Sequence, residues 1–147
     1  MSKIERSALV NYSAAEMYDL VNDIGSYASF LPWCNDSAVI SETDTEMTGS
    51  IGISKGLLNK TFTTRNSLIK NRKIELELVE GPFKTLTGCW EFEALKTENA
   101  CKVTLKLEFE FDNAMMSIAA RPVFTQIANS LVDSFCQRAA EVYGERG

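Results

Sequence analysis

Residues 101–111 (CKVTLKLEFEF) alternate apolar and polar without a break. Val103, Leu105, Leu107, Phe109 and Phe111 share one face, and Lys102, Thr104, Lys106, Glu108 and Glu110 share the other. This period of two predicts an antiparallel strand with one buried and one wet face. Ile74, Leu76 and Leu78 repeat the pattern within 73–79, and Leu86, Trp90 and Phe92 repeat it within 84–95. Further strands are predicted at 3–12, 36–44, 46–55 and 60–69, with turns at Thr43-Asp44-Thr45, Lys70-Asn71-Arg72, Gly81-Pro82 and Lys96-Thr97-Glu98-Asn99.

Two regions follow a helical period instead. Ser13-Ala14-Ala15-Glu16 fits a capping box, and Met17, Leu20, Val21 and Ile24 follow at helical spacing up to Gly25, a natural helix end. A short second helix over about 25–31 carries Tyr27 and Phe30 and is closed by Pro32. From Pro122, a natural helix start or kink, Val123, Ile127, Leu131, Phe135, Ala139 and Val142 recur every three or four residues. Phe124, Ala128, Val132, Cys136 and Tyr143 widen that face. The predicted helix has about 20 residues, stops near Gly144, and follows a separate helical turn at 114–120. The order β-α-α-β-β-β-β-β-β-α predicts an α+β fold. One curled antiparallel sheet of six to seven strands is covered by a long C-terminal helix. A straight helix across a twisted sheet leaves space beneath it, filled either by large side chains or by a ligand.

Length and composition narrow this picture. The chain has 147 residues, one domain over 1–147, and is long enough to fold without a metal or disulfide staple. No apolar run is long enough to span a bilayer, and the N-terminus has no signal-peptide character, so a cytoplasmic protein is expected. The net charge of −5 argues against DNA and against general binding to anionic surfaces. Residues 55–84 run against that balance, with Lys55, Lys60, Arg65, Lys70, Arg72, Lys73 and Lys84 facing only Glu75, Glu77 and Glu80. This is either a solvated sheet face or a docking patch for phosphates. Within it, Leu57 and Leu58 sit at a predicted hairpin tip between Lys55 and Lys60. Such a tip either folds back on the sheet or suits a membrane surface or a partner.

The chain contains no histidine. That removes Ser-His-Asp and Cys-His nucleophiles and histidine-ligated metals. Cys34, Cys89, Cys101 and Cys136 form no C-x-x-C pair and read as small buried hydrophobes. The segment SFLPWCND (29–36) raises Cys34 as a nucleophile, yet its nearest charge is Asp36, of the wrong sign to lower a thiol pKa. Phe30, Leu31 and Trp33 remain as an apolar wall, capping either the core or a cavity. Gly81-Pro82-Phe83 reads as a turn whose phenyl group also suits a cavity mouth. Thr64 and Asn66 share phase with Phe62 and Leu68, so an inward face there is unusually polar. These groups pair with each other, with water, or with the polar head of a ligand.

The run Asp23-Ile24-Gly25-Ser26-Tyr27-Ala28-Ser29-Phe30-Leu31-Pro32-Trp33-Cys34 resembles the signature of the coenzyme Q-binding protein branch of the START-like superfamily, which also includes polyketide cyclases and lipid-transport proteins. Phe62-Thr63-Thr64-Arg65-Asn66, Gly81-Pro82-Phe83-Lys84 with Leu86, Gly88 and Trp90, and Phe135-Cys136-Gln137-Arg138-Ala139 with Tyr143-Gly144 match as well, so the resemblance runs over about 3–144. Ala28 departs from it, since relatives often carry proline after the tyrosine.

The resemblance implies a helix-grip fold of the START/Bet v 1 type. It also implies a non-catalytic carrier whose tunnel binds ubiquinone or a related isoprenoid lipid in support of respiration. Bacterial members resemble a ribosome association toxin that binds the large ribosomal subunit and blocks subunit joining; others carry the label of cyclase. The expected partners are therefore a hydrophobic small molecule, with peripheral contact at the inner membrane or the large ribosomal subunit as further candidates. No catalytic cofactor and no metal is expected. The cavity walls expected are Tyr27, Phe30, Leu31 and Trp33 from the loop region, and Phe62, Thr64, Asn66 and Leu76 from the central strands. Phe83, Leu86, Trp90, Phe92, Leu105, Leu107 and Phe109 follow from the later strands, and Phe124, Ile127, Leu131 and Phe135 from the helix. The expected docking patch is Lys55, Leu57, Leu58, Lys60, Arg65, Arg72 and Lys73.

Overall fold

A computed structural model describes residues 2–97 and 99–146. The elements are β1 (Ser2–Val10), α1 (Ala14–Asn22), a 3-10 turn (Ile24–Ser26), α2 (Tyr27–Phe30), β2 (Cys34–Glu42), β3 (Glu46–Lys55), β4 (Leu58–Ile69), β5 (Lys73–Glu80), β6 (Phe83–Ala94), β7 (Cys101–Phe111) and α3 (Ala114–Tyr143). Among the described residues the strands form one seven-stranded antiparallel sheet in the order β1-β7-β6-β5-β4-β3-β2. Each strand thus pairs with its sequence neighbour, except that β1 closes onto β7. The inward residues of β7 (Val103, Leu105, Leu107, Phe109 and Phe111) are all buried, as their alternation requires.

The capping box at α1 is complete. Ser13 Oγ accepts from the Glu16 amide at 3.1 Å, and the Ser13 amide donates to Glu16 Oε1 at 2.9 Å. The helix ends at Asn22 rather than at Gly25, because the chain tightens into the 3-10 turn. The predicted helix at 25–31 is therefore that turn plus the single turn of α2. Its wall against the sheet is close: a Cβ on Gly49 of β3 would lie 2.8 Å from Ile24 Cδ1.

The largest difference from expectation is α3. It runs unbroken for 30 residues, about 45 Å, from Ala114 to Tyr143, so 114–120 is its first turns and not a separate element. Two causes are visible. Asn113 caps it, accepting from the Met116 amide at 2.6 Å. Pro122 lies on the solvent side, and the carbonyl left without its N–H partner belongs to Ile118, itself exposed and open to water. Val142 also departs from its predicted inward position and is half exposed. The turn at 96–99 includes Glu98, which lies outside the described residues.

The C-terminal end of α3 is tied to α1 by side chains. Tyr143 Oη donates to the Glu16 carbonyl at 3.1 Å, and Tyr12 Oη donates to the Gly144 carbonyl at 2.8 Å. Arg146 forks onto Glu16 at 2.7 and 3.0 Å and lies over the Tyr12 ring. The Arg146 hydrogen bond, with help from the Ser13 amide, lowers the Glu16 pKa from 4.5 to about 2. A depressed carboxylate pKa stabilises the fold above its unfolded value and loses that contribution as it protonates. Acidification from above 4.5 towards about 2 should therefore lower the melting temperature of the protein. Glu16→Gln, which keeps the capping geometry, should flatten that part of the profile. An unchanged slope in Glu16→Gln, followed by circular dichroism, would show that the pair contributes nothing.

Candidate functional site

The cavity lies between α3 and the middle of the sheet and encloses about 80 Å³. Its floor comes from Ile51 and Ile53 of β3, Phe62, Thr64 and Asn66 of β4, and Leu76 of β5. Leu86 and Trp90 of β6 and Leu107 of β7 complete it. The roof is one stripe of α3: Phe124, Ile127, Ala128, Leu131 and Phe135. Ile24, Tyr27 and Trp33 close the side. A proline follows α2 and turns the chain so that Trp33 faces inward, where its carbonyl accepts from the Ser54 amide at 2.8 Å.

Most of the expected wall residues line this space, but Phe30, Leu31, Phe83, Phe92, Leu105 and Phe109 do not. They are inward-facing, yet they stand where a helix or another ring presses directly on them. Phe83 stacks on Phe111 at 4.8 Å and meets Phe124 at 5.1 Å, while Phe109 meets Phe124 at 4.7 Å, so that end of the sheet is plugged. Phe92 lies under α1, edge-on to Tyr18 at 5.8 Å. Leu105 is wholly covered, and Leu31 almost so. Phe30 stands behind the wall, against Tyr27 and Phe135, with the Arg138 guanidinium 4.7 Å above its ring. Conversely, Ile24, Ile51, Ile53 and Ala128 line the cavity without having been expected to. The alternation Ile51-Gly52-Ile53 carried the signal for two of them. Ala128 is a small residue in the centre of the helix stripe, which is where the space opens.

The lining is apolar apart from Thr64, Asn66 and the polar atoms of Tyr27, Trp33 and Trp90. Thr64 and Asn66 are 4% and 3% exposed, and Thr64 Oγ1 donates to Asn66 Oδ1 at 2.9 Å. Tyr27 Oη donates to the Val21 carbonyl, and burial pushes its pKa far above the ordinary phenol range. The indole N–H of Trp33 is buried without a hydrogen-bond partner. No lining residue is a carboxylate, lysine or arginine, so the cavity offers no proton donor or acceptor poised near neutrality. Cys34 does not change this. Burial raises its pKa, its thiol lies 3.3 Å from the Asp36 carbonyl, and it is not in the lining. Among the described residues no group of His, Cys, Asp and Glu is arranged to hold a metal.

The predicted docking patch comes apart. Lys55, Leu57 and Lys60 do gather at the β3–β4 tip, where Gly56 has φ +57° at the first central position of a two-residue turn. Leu57 is 90% exposed, but Leu58 is 2% exposed and belongs to the core. Arg65 sits mid-strand on the outer face, paired with Glu46 at 3.7 Å, and Lys73 pairs with Glu75 at 3.0 Å. Arg72 lies in the β4–β5 turn at the far end of β4, roughly 35–40 Å of extended chain away from the tip. Charges close in sequence are separated because a long strand carries them to opposite ends.

A model of the family described as polyketide cyclase/dehydrase and lipid transport matches residues 10–136. The chain belongs to that family. It is 47% identical to the ribosome association toxin RatA of Pseudomonas aeruginosa over 141 residues, covering 96% of this chain and 97% of that one. It is likewise 47% identical to the ribosome association toxin RatA of Escherichia coli K12, covering 99% and 92%. A more distant relative is the mitochondrial coenzyme Q-binding protein COQ10 homolog B of Xenopus laevis, at 24% identity over 95% of this chain and 59% of that one. Among solved structures, the Zhui aromatase/cyclase from Streptomyces matches the fold with a TM-score of 0.79 at 18% identity, covering 99% of both chains. A START superfamily protein from Mycobacterium smegmatis matches with a TM-score of 0.75 at 13% identity, covering 95% and 98%. The START-like helix-grip architecture is thus shared widely, well beyond any one activity.

The Thr64–Asn66 pair yields a test of how dry the cavity is. Thr64→Val should leave the Asn66 carbonyl oxygen buried without a donor and destabilise the protein by about 1–3 kcal/mol. Adding Asn66→Leu should recover most of that loss. Urea midpoints at constant m-value measure both; a neutral Thr64→Val would show that the bond is not sealed from water.

Proposed function

We propose that this protein associates with the ribosome, docking on the large subunit and opposing subunit joining. The observation that carries this reading is identity of 46–47% sustained over 96–99% of the chain with relatives named for ribosome association. The exterior is compatible with it. The chain is acidic overall, so binding to RNA would rest on a local cluster rather than on the net field. The β3–β4 tip is such a cluster: Lys55 and Lys60 flank the exposed Leu57, and neither lysine is in an ion pair among the described residues. Arg65 and Lys73 are already neutralised. Purified protein mixed with separated ribosomal subunits should comigrate with the large subunit on a sucrose gradient and reduce the joined fraction. Binding should weaken steeply with salt, and Lys55→Glu with Lys60→Glu should lower the salt slope by about one unit per lysine. Arg65→Glu should matter less. Identical gradients with and without the protein would sink the reading.

A second reading is favoured by the cavity. Its apolar lining, and the distant likeness to a coenzyme Q-binding protein, support uptake of a ubiquinone-like or isoprenoid ligand. Drug-sized pockets usually measure about 300–1,000 Å³, so a whole isoprenoid quinone requires α3 to move outward from the 80 Å³ present. Each ligand methylene buried then contributes up to about 0.8 kcal/mol. This reading is of a carrier and not an enzyme, since the lining holds no acid–base pair. Mass spectrometry of an organic extract of the purified protein should find the ligand. Leu131→Trp, which fills the roof, should abolish uptake and leave ribosome binding intact. An empty extract together with no uptake from added quinone would refute it.

A further inference from the structure

We propose that the cavity is built for a neutral apolar molecule that carries a carbonyl oxygen, and that the Trp33 indole N–H donates to it. The proposal rests on the reading of the cavity as a ligand site and adds to it the chemistry of the ligand. Its starting point is a defect in the fold. Trp33 is 8% exposed, lines the cavity, and holds its Nε1–H away from solvent with no acceptor. Burying an amide-like donor unpaired is unfavourable, and tryptophan in a core normally finds a partner. A side chain that served only as packing could be phenylalanine or leucine, which carry no donor and so no such penalty. Once the cavity widens to admit a ligand, an acceptor that reaches this N–H removes the defect in the bound state only, which converts it into affinity.

The other polar groups set what kind of acceptor fits. Asn66 Oδ1 is already used by Thr64, so its amide nitrogen is left as a second donor, on the floor strand β4. Tyr27 spends its proton on the Val21 carbonyl. The cavity therefore holds donors to offer and no cation. A carboxylate or phosphate placed here would be desolvated without a counter-charge, which disfavours fatty-acid anions and phospholipid heads at this inner end. A ring ketone, a quinone or an ester has acceptor oxygens, no charge and a flat apolar body. Trp90 and Phe135, whose rings meet edge-on at 5.4 Å, supply aromatic surface for that body.

The chain has two tryptophans, and both line the cavity, so the protein carries its own probe. Tetramethylbenzoquinone and tetramethylbenzene, alike in shape and differing in the two carbonyls, are titrated into the full chain while the two indole N–H signals are followed by NMR. The quinone should move the Trp33 indole proton downfield, with the two indole signals assigned by triple-resonance spectra of the wild-type chain. The hydrocarbon should bind more weakly and produce no such shift. Trp33→Phe should lower the preference for the quinone over the hydrocarbon by about three- to tenfold, as expected for one hydrogen bond. If both molecules bind equally, with the Trp33 signal unmoved downfield by the quinone, the cavity is a ligand site but the donor assignment is overturned. If neither binds, the ligand reading and the proposal fall together. The wild-type shift decides the matter even where Trp33→Phe folds poorly.

Discussion

The fold depends on one stripe of α3 lying against the inward face of the sheet. Phe124, Ile127, Ala128, Val132, Phe135 and Ala139 are all buried there, and Phe135 is completely covered. α3 packs most closely on β1 and β7 and reaches over to β4, while α1 packs on β6 and β7. Removing a ring such as Phe135 from so dense a setting costs about 3–5 kcal/mol, comparable to the whole margin of an ordinary domain. The ties between Tyr143, Arg146 and α1 matter because they fix the C-terminal end of this lever.

The same contact explains where space remains. Near Phe83, Phe109 and Phe111 the rings interlock with Phe124, and the gap closes. Under α1 it closes again. Over the central strands the curl of the sheet outruns the straight helix, and the roof there includes the small Ala128. A polar pair, Thr64–Asn66, faces inward at that place. A sheet optimised for stability alone would carry valine and leucine on that face, so these residues sit where local rules are broken in the way functional sites break them.

Much of this was legible in the sequence because it is local. The alternation from Cys101 to Phe111, the capping box at Ser13–Glu16 and the i+4 run from Val123 to Ala139 each report a face directly. The absence of histidine likewise removed whole classes of chemistry. What was not legible depended on chain geometry at longer range. Pro122 reads as a helix start or a kink, yet it lies within an unbroken helix because its solvent-facing position leaves water to satisfy Ile118. Leu57 and Leu58 read as a pair, but a two-residue turn sends one outward and the other into the core. Phase identifies inward residues, whereas only the placement of α1 and α3 says which of them meet empty space. That is why Leu105, Phe92 and Phe109 are core while Leu107, Trp90 and Ile53 are cavity wall.

The exterior tip and the interior cavity are not independent pieces of backbone. The Ser54 amide, one residue before Lys55, donates to the carbonyl of Trp33. Ile53, the residue before that, lines the cavity opposite the α3 stripe, and pairs across the ladder with Lys60. The end of β3 therefore presents Ile53 to whatever fills the cavity and Lys55 to whatever touches the tip, with Trp33 fastened to it by a main-chain bond. The cavity wall and the exposed tip are thus adjoining parts of one short length of strand, so a substitution at Ile53 or Ser54 bears on both.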